Sequence, residues 1–121
     1  MFRIRRIFDD ILPRNRHALE QIQEILQSRL RGLSQANINK IPDFLRNPFK
    51  YDFRSILYVS EIQATGKVRG FALLSHEPVI HFCYLDYLVT DKDIIGRGIG
   101  SALYGRAREE SVLLGAEGLF F

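Results

Sequence analysis

Val89–Leu103 reads V-T-D-K-D-I-I-G-R-G-I-G-S-A-L, and it sets the architecture more than any other segment of the chain. It joins the end of an apolar run, Val79–Thr90 (VIHFCYLDYLVT), to a helical pattern over Ile99–Leu114. In that helix Ile99, Ala102, Leu103, Ala107 and Leu114 point inward, Arg106, Arg108 and Glu109 outward, and Gly115 is the stop. Between the two lies a polar loop, Asp91–Gly98, and Gly96, Gly98 and Gly100 stand two residues apart. A glycine-rich turn entering a helix leaves several N–H groups unpaired and removes the Cβ atoms that would keep a ligand away. With the positive end of the helix dipole this makes an anion site, most naturally for a phosphate or pyrophosphate. Arg97 adds a cation and Ser101 a hydroxyl. The plain alternative is a tight turn in which the glycines serve only the backbone. Walker A is excluded, because no G-K-[ST] follows the glycines, and G-x-G-x-x-G fails at Ser101 and at Leu103. The dinucleotide motif also follows the first strand of a parallel unit, whereas this loop follows a run of strands.

Upstream of the loop, Ser55–Ile62 (SILYVSEI) and Val68–Ser75 (VRGFALLS) are strand-like and are joined by the turn Ala64-Thr65-Gly66-Lys67, which predicts a hairpin. Glu77-Pro78 turns the chain into Val79–Thr90, apolar at most positions and expected to be a central strand covered on both faces. Phe2, Ile4 and Ile7/Phe8 interleave with Arg3, Arg5 and Arg6 as an opening strand ended by Asp9-Asp10. Pro13 and Asn15 are start signals for a helix whose stripe is Leu19, Ile22, Leu26, Leu30 and Leu33, with Ile25 beside it and Gly32 as its stop. Between Ser34 and Arg46 a second helical stretch carries Ile38, Ile41 and Leu45, and Pro42 must kink it or start a new turn. Asn47–Arg54 is a polar-aromatic loop placed to reach over a binding site, and Ala116–Phe121 is the last strand. The expected order is β-α-α-β-β-β-α-β, an α/β fold with a mixed, mainly antiparallel sheet, helices on both faces and one crossover helix.

The chain has 121 residues, room for one domain and a real core, with 46% hydrophobic and 26% charged residues. Cys83 is the only cysteine, which excludes an internal disulfide and a Cys-based zinc cluster and fits a reducing compartment. No apolar run reaches the ~20 residues of a membrane span, and the opening MFRIRRIFDD has no signal-peptide core. A cytoplasmic, single-domain protein is expected, with no membrane, metal or nucleic-acid partner. Residues 1–50 hold ten Lys/Arg against five Asp/Glu, and residues 51–121 hold seven against nine. The basic residues are scattered, so a solvated face explains them better than a nucleic-acid surface.

At the glycine loop the chain resembles the GNAT superfamily of acyl-CoA N-acyltransferases, whose pyrophosphate loop has the pattern [RQ]-x-x-G-x-[GA]. Ile95-Gly96-Arg97-Gly98-Ile99-Gly100 fits the glycines, and Leu88-Val89-Thr90-Asp91 fits the strand end. Ile95 stands where the family usually has Arg or Gln. The order of elements resembles the family over almost the whole chain. The resemblance implies acetyl-CoA as co-substrate. Its pantetheine would lie along the backbone of Leu88, Val89 and Thr90, and its pyrophosphate on Gly96, Arg97, Gly98, Ile99, Gly100 and Ser101. It implies transfer of an acetyl group to an amine, borne by a small molecule or peptide, by direct attack. It also implies that a helix and further strands would follow the fifth strand, so the domain over residues 1–121 is expected to be incomplete at its C-terminus, with a second copy or a completing segment as partner.

Asp86 is the candidate base: a carboxylate on a mostly buried strand has a raised pKa suited to taking a proton from an ammonium group. The alternative is an ion pair between Asp86 and an N-terminal arginine, with no role beyond structure. Tyr84 and Tyr87 are candidates to orient substrate or act as acid, against a plain packing role. His81, a lone histidine in a strand, is a weaker base candidate, and Cys83, without a neighbouring base or cation, reads as core. The segment Ser34–Arg54 is expected to border the acceptor pocket, with Asp43, Tyr51 and Asp52 placed to attract a cationic amine. A non-catalytic acyl-CoA-binding or interaction module is the alternative to an enzyme. A nucleic-acid binder is the third reading, and it would bind with steep salt dependence and ignore substitutions at the glycines.

Overall fold

The computed structural model describes residues 2–29, 35–47, 50–90 and 98–120. The elements are β1 (Phe2–Ile7), α1 (Pro13–Arg29), α2 (Gln35–Asn39), α3 (Ile41–Arg46), β2 (Arg54–Ile62), β3 (Val68–Glu77), β4 (Phe82–Thr90), α4 (Ile99–Leu113) and β5 (Gly118–Phe120). The five strands form one sheet in the order β1-β2-β3-β4-β5. Every pairing is antiparallel except β4 with β5, which are parallel and joined through α4. The expected mixed sheet and its crossover are therefore present.

Strand alternation divides the interior into two layers. Ile7, Leu57, Val59, Phe71, Leu73 and Val89 pack with Ala18, Leu19, Ile22 and Leu26 of α1 and with Ile38, Ile41 and Leu45 of α2 and α3. Ile56, Tyr58, Ala72, Leu74 and Cys83 face the other way, onto Ile99, Leu103 and Ala107 of α4. Full burial of a side chain such as Ile22 or Leu74 stabilises the fold by roughly 2 kcal/mol. Helices thus cover the sheet on both faces, α1–α3 on one and α4 on the other.

Several local devices differ from expectation. Asn15 does not start α1; it is buried and accepts a hydrogen bond from Arg5 Nη1 at 2.6 Å. Asp9 does the starting, since its carboxylate accepts the N–H groups of Ile11 at 2.9 Å and Leu12 at 3.3 Å. The stretch after α1 is split into two short helices, with Pro42 in the first turn of the second, where its missing N–H costs nothing. Leu30, Gly32 and Leu33 lie outside the described residues.

The scattered basic residues near the N-terminus are built into the fold. Glu61 on β2 is 3% exposed and receives both Arg3 Nη2 at 3.0 Å and Arg5 Nε at 2.6 Å. Arg6 pairs with Glu110 of α4 at 3.2 Å, and Arg46 pairs with Asp10. Each of these four guanidinium groups has a carboxylate partner within the fold.

β4 begins three residues later than its apolar run predicts. Val79 and Ile80 are exposed, and His81 has a φ of 59°. A left-handed residue cannot continue a strand, so Val79–His81 belongs to the turn and His81 is not the strand histidine expected above. The strand is also not covered on both faces, because Tyr84 and Leu88 are each 38% exposed.

Candidate functional site

β4 carries a register shift opposite Leu73 and Leu74 of β3: Leu73 faces Tyr87 while Leu74 faces Leu85, so Asp86 is the extra residue. This is a β-bulge, which turns two consecutive side chains to one side of the sheet. Before it, Cys83 and Leu85 pack toward α4; after it, Tyr87 and Val89 pack toward α1. Alternation alone would send Tyr87 to the α4 side. The bulge instead puts Asp86 and Tyr87 together in one cavity.

That cavity, of about 440 Å³, lies between β3 and β4 on one side and α2, α3 and the following loop on the other. Leu73, Ser75, Glu77, Tyr84, Asp86 and Tyr87 form its sheet wall, and Asn37, Ile41, Phe44 and Phe53 form the wall opposite. The opposite wall is held by aromatic packing. Phe44 meets Phe53 edge-on at 5.5 Å and Tyr51 at 4.8 Å. The Tyr51 hydroxyl donates to Asp43, Asn47 Nδ2 donates to it at 2.6 Å, and Lys50 Nζ lies 3.1 Å from it. These bonds hold the Asp43 carboxyl down at about 2, the tyrosine bond first among them. Asp43 is thus occupied as the clamp of the loop, and Asp43, Tyr51 and Asp52 do not line the cavity with Asp86. Tyr51 and Asp52 line a separate one with Arg54 and His76.

Among the described residues Asp86 has no arginine partner. Its carboxylate accepts a hydrogen bond from the Ser75 hydroxyl, and the N-terminal arginines are committed to Glu61 and Glu110. Although one edge of Asp86 is open, the surrounding protein strips water from the carboxyl and pushes its pKa above the usual value. The Ser75 bond pulls the other way and is the smaller effect. No ion pair of Asp86 with an arginine of the N-terminal strand or helix is present among the described residues. Cys83 is buried, and burial raises its thiol pKa, as befits a core residue rather than a nucleophile.

A second feature lies on the far side of the same two residues. β5 pairs with β4 only at Phe82, Cys83 and Tyr84, whereas β3 continues beside β4 to Thr90. Among the described residues, which end at Phe120, none of β5 pairs with β4 beyond Tyr84. A depression at the fork is lined by Tyr84, Leu85, Asp86 and Phe120. Tyr84 and Asp86 line both this fork and the cavity, so the two spaces meet at the bulge.

β4 itself runs on through Leu88, Val89 and Thr90 toward the N-terminus of α4. Gly98 is the N-cap with φ 75°, and no side chain caps the helix. The first intrahelical bond runs from Ala102 N–H to Gly98 C=O at 3.0 Å, so the N–H groups of Ile99, Gly100 and Ser101 have no carbonyl of the helix to reach. A Cβ on Gly100 would sit 3.7 Å from Thr90 Cγ2, which puts the end of β4 beside the helix tip. Gly96 and Arg97, with the rest of Asp91–Arg97, lie outside the described residues. Gly70 is a residue the sequence reading missed. A Cβ there would meet Val89 O at 3.0 Å, and Ile99 Cγ2 and Leu103 Cδ1 at 3.2 Å each. A glycine inside a strand signals such close approach, and here it seats the start of α4 on the sheet.

Residues 19–121 match the model of the Acetyltransferase (GNAT) family. The chain belongs to that family. No curated protein sequence matches it. Among solved structures it is similar to an acetyltransferase of Trypanosoma brucei at TM-score 0.73 and 22% identity, covering 99% of this chain and 81% of that one. It is also similar to the catalytic domain of the Tetrahymena GCN5 histone acetyltransferase in complex with coenzyme A, at TM-score 0.72 and 18% identity, covering 98% of this chain and 66% of that one. A third likeness is to the ribosomal-protein-alanine N-acetyltransferase of Brucella melitensis, at TM-score 0.67 and 16% identity, covering 99% of this chain and 78% of that one. At these identities the likeness is one of fold.

Proposed function

We propose that the chain is an N-acetyltransferase that moves the acetyl group of acetyl-CoA onto an amine by direct attack. One observation carries the reading: Tyr84 and Asp86 line both the cavity and the fork, so a group in one space can reach a group in the other. The β4 edge at Leu88, Val89 and Thr90 suits a pantetheine, whose amides would add to it as a strand does. The tip of α4, with Gly98, Ile99, Gly100 and Ser101, suits the pyrophosphate, and Gly96 and Arg97 belong to the same motif. When bound, the co-substrate supplies an acetyl group already activated as a thioester.

The protein's own share is modest chemistry. The cavity holds the amine near the fork and fixes its approach. Asp86, with its raised pKa, takes the proton of the ammonium group. Tyr84, beside it on the same strand, orients the acceptor. The acceptor nitrogen bonds to the acyl carbon as the carbon–sulfur bond breaks; it loses one proton, and the departing sulfur gains one as it leaves as a thiol. The protein is proposed to work in the cytoplasm.

Calorimetry with acetyl-CoA followed by a thiol-release assay over a panel of amines tests the reading. Saturable binding with amine-dependent thiol release is expected. Binding with no release from any amine would favour an acyl-CoA-binding module, and no binding would overturn both.

A further inference from the structure

Glu77 is a carboxylate that no described residue uses. It lines the 440 Å³ cavity at the end of β3, half-buried, and no hydrogen bond or ion pair with a described residue satisfies it. No lysine or arginine stands among the described residues lining that cavity. The cavity therefore presents two carboxylates, Asp86 and Glu77, to anything that enters. Apart from Ser75 and Asn37, the wall between and opposite them is apolar and aromatic: Leu73, Tyr84 and Tyr87 on the sheet, Ile41, Phe44 and Phe53 across from it.

The spacing of the two follows from the strand. Ser75, which holds Asp86, and Glu77 are two residues apart on β3 and both line the cavity. At the ordinary rise of a strand their backbones are about 7 Å apart. An extended carbon chain advances about 1.25 Å per bond, so two nitrogens separated by four or five methylenes stand roughly 6–7.5 Å apart. A carboxylate without a partner in a cavity is available to a cation that arrives with the substrate.

We propose that the acceptor is a dication with an apolar spacer, one amino group presented beside Asp86 for acetylation and the other held as an ammonium ion on Glu77. The methylene chain lies against Leu73, Tyr87 and Phe44. Anionic acceptors are disfavoured by both carboxylates, and a monoamine forfeits the second contact. This inference rests on the acetyltransferase reading above and adds the substrate class.

The test compares 1,4-diaminobutane with butylamine, by calorimetry on the chain saturated with coenzyme A and by thiol release with acetyl-CoA. Wild type and Glu77→Gln are measured side by side. The expected result is that the diamine binds at least tenfold more tightly than the monoamine, and that Glu77→Gln abolishes this gap while coenzyme A affinity stays unchanged. Equal binding of the two amines to wild type overturns the inference without reference to any variant. So does a gap that survives Glu77→Gln. Absence of coenzyme A binding defeats the acetyltransferase reading itself, and this inference with it.

Discussion

The Ser75 hydroxyl donates a hydrogen bond to the carboxylate of Asp86, the one residue that the bulge of β4 leaves without a partner on β3. Burial raises the Asp86 pKa and this bond restrains the rise. Ser75→Ala should therefore raise it further. A base works only when deprotonated, so the acid limb of the kcat/KM profile should move to higher pH in Ser75→Ala, with the plateau rate little altered. Asp86→Asn should lower kcat by about 10²–10⁴-fold. An unchanged acid limb in Ser75→Ala would separate Asp86 from the proton transfer.

The same carboxylate has a stability signature of the opposite sense. Because its folded pKa lies above the unfolded value, the folded state binds more protons in that window, and stability falls as pH rises through it. Asp86→Asn removes this loss. Its melting temperature at pH 7 should be equal to or above that of wild type even as activity disappears. A clear drop would show that the charged carboxylate is needed by the fold.

Gly100 and Gly98 should respond in opposite directions. Gly100 is helical and has room for a Cβ, so Gly100→Ala should raise stability by up to about 1 kcal/mol. At the same time it should weaken acetyl-CoA binding by crowding the helix tip. Gly98 has φ 75°, so Gly98→Ala should destabilise the protein by roughly 1–2 kcal/mol. Thermal melts with and without acetyl-CoA measure both. Unchanged affinity in Gly100→Ala would move the anion away from this helix.

Gly70→Ala should separate the start of α4 from the sheet, since the added Cβ meets backbone at Val89 and side chains at Ile99 and Leu103. A loss of about 1–3 kcal/mol in denaturant unfolding is expected, the usual cost of overpacking. Acetyl-CoA affinity should fall with it, because residue 70 abuts Val89, Thr90 and Ile99, which are proposed ligand positions.

Glu61 balances Arg3 and Arg5 from a buried position. Glu61→Ala leaves the half-buried Arg5 guanidinium without its carboxylate, with Asn15 and the Arg14 carbonyl as its remaining partners. Destabilisation by about 3–5 kcal/mol is expected, with acetyl-CoA binding by the folded fraction unaltered.

Hydrophobic periodicity is a local property, and it made the sheet, the stripe of α1 and the inward face of α4 legible from Leu19, Ile22, Leu26, Ile99, Leu103 and Ala107 alone. The glycine spacing at residues 96–100 pointed to the family for a similar reason, because backbone amides and missing Cβ atoms are properties of a short segment. Asp86 and Tyr84 were candidates by residue type and strand, without a view of what they faced. Asp9 rather than Asn15 starts α1, and Val79–His81 leaves the strand, because each depends on one backbone angle or one side-chain rotamer.

Composition and pattern therefore determined the order of elements, the two buried layers and the family motif, all of which follow from neighbours in the chain. Tertiary structure alone decided that Asp86 pairs with Ser75 and with no described arginine, that Glu77 stands in the same cavity with no described partner, and that Asp43 is spent on holding its own loop. Those outcomes turn on a one-residue bulge and on which distant side chains compete for each charge. A bulge reverses the facing of everything after it, and no period read along the chain records where that reversal falls.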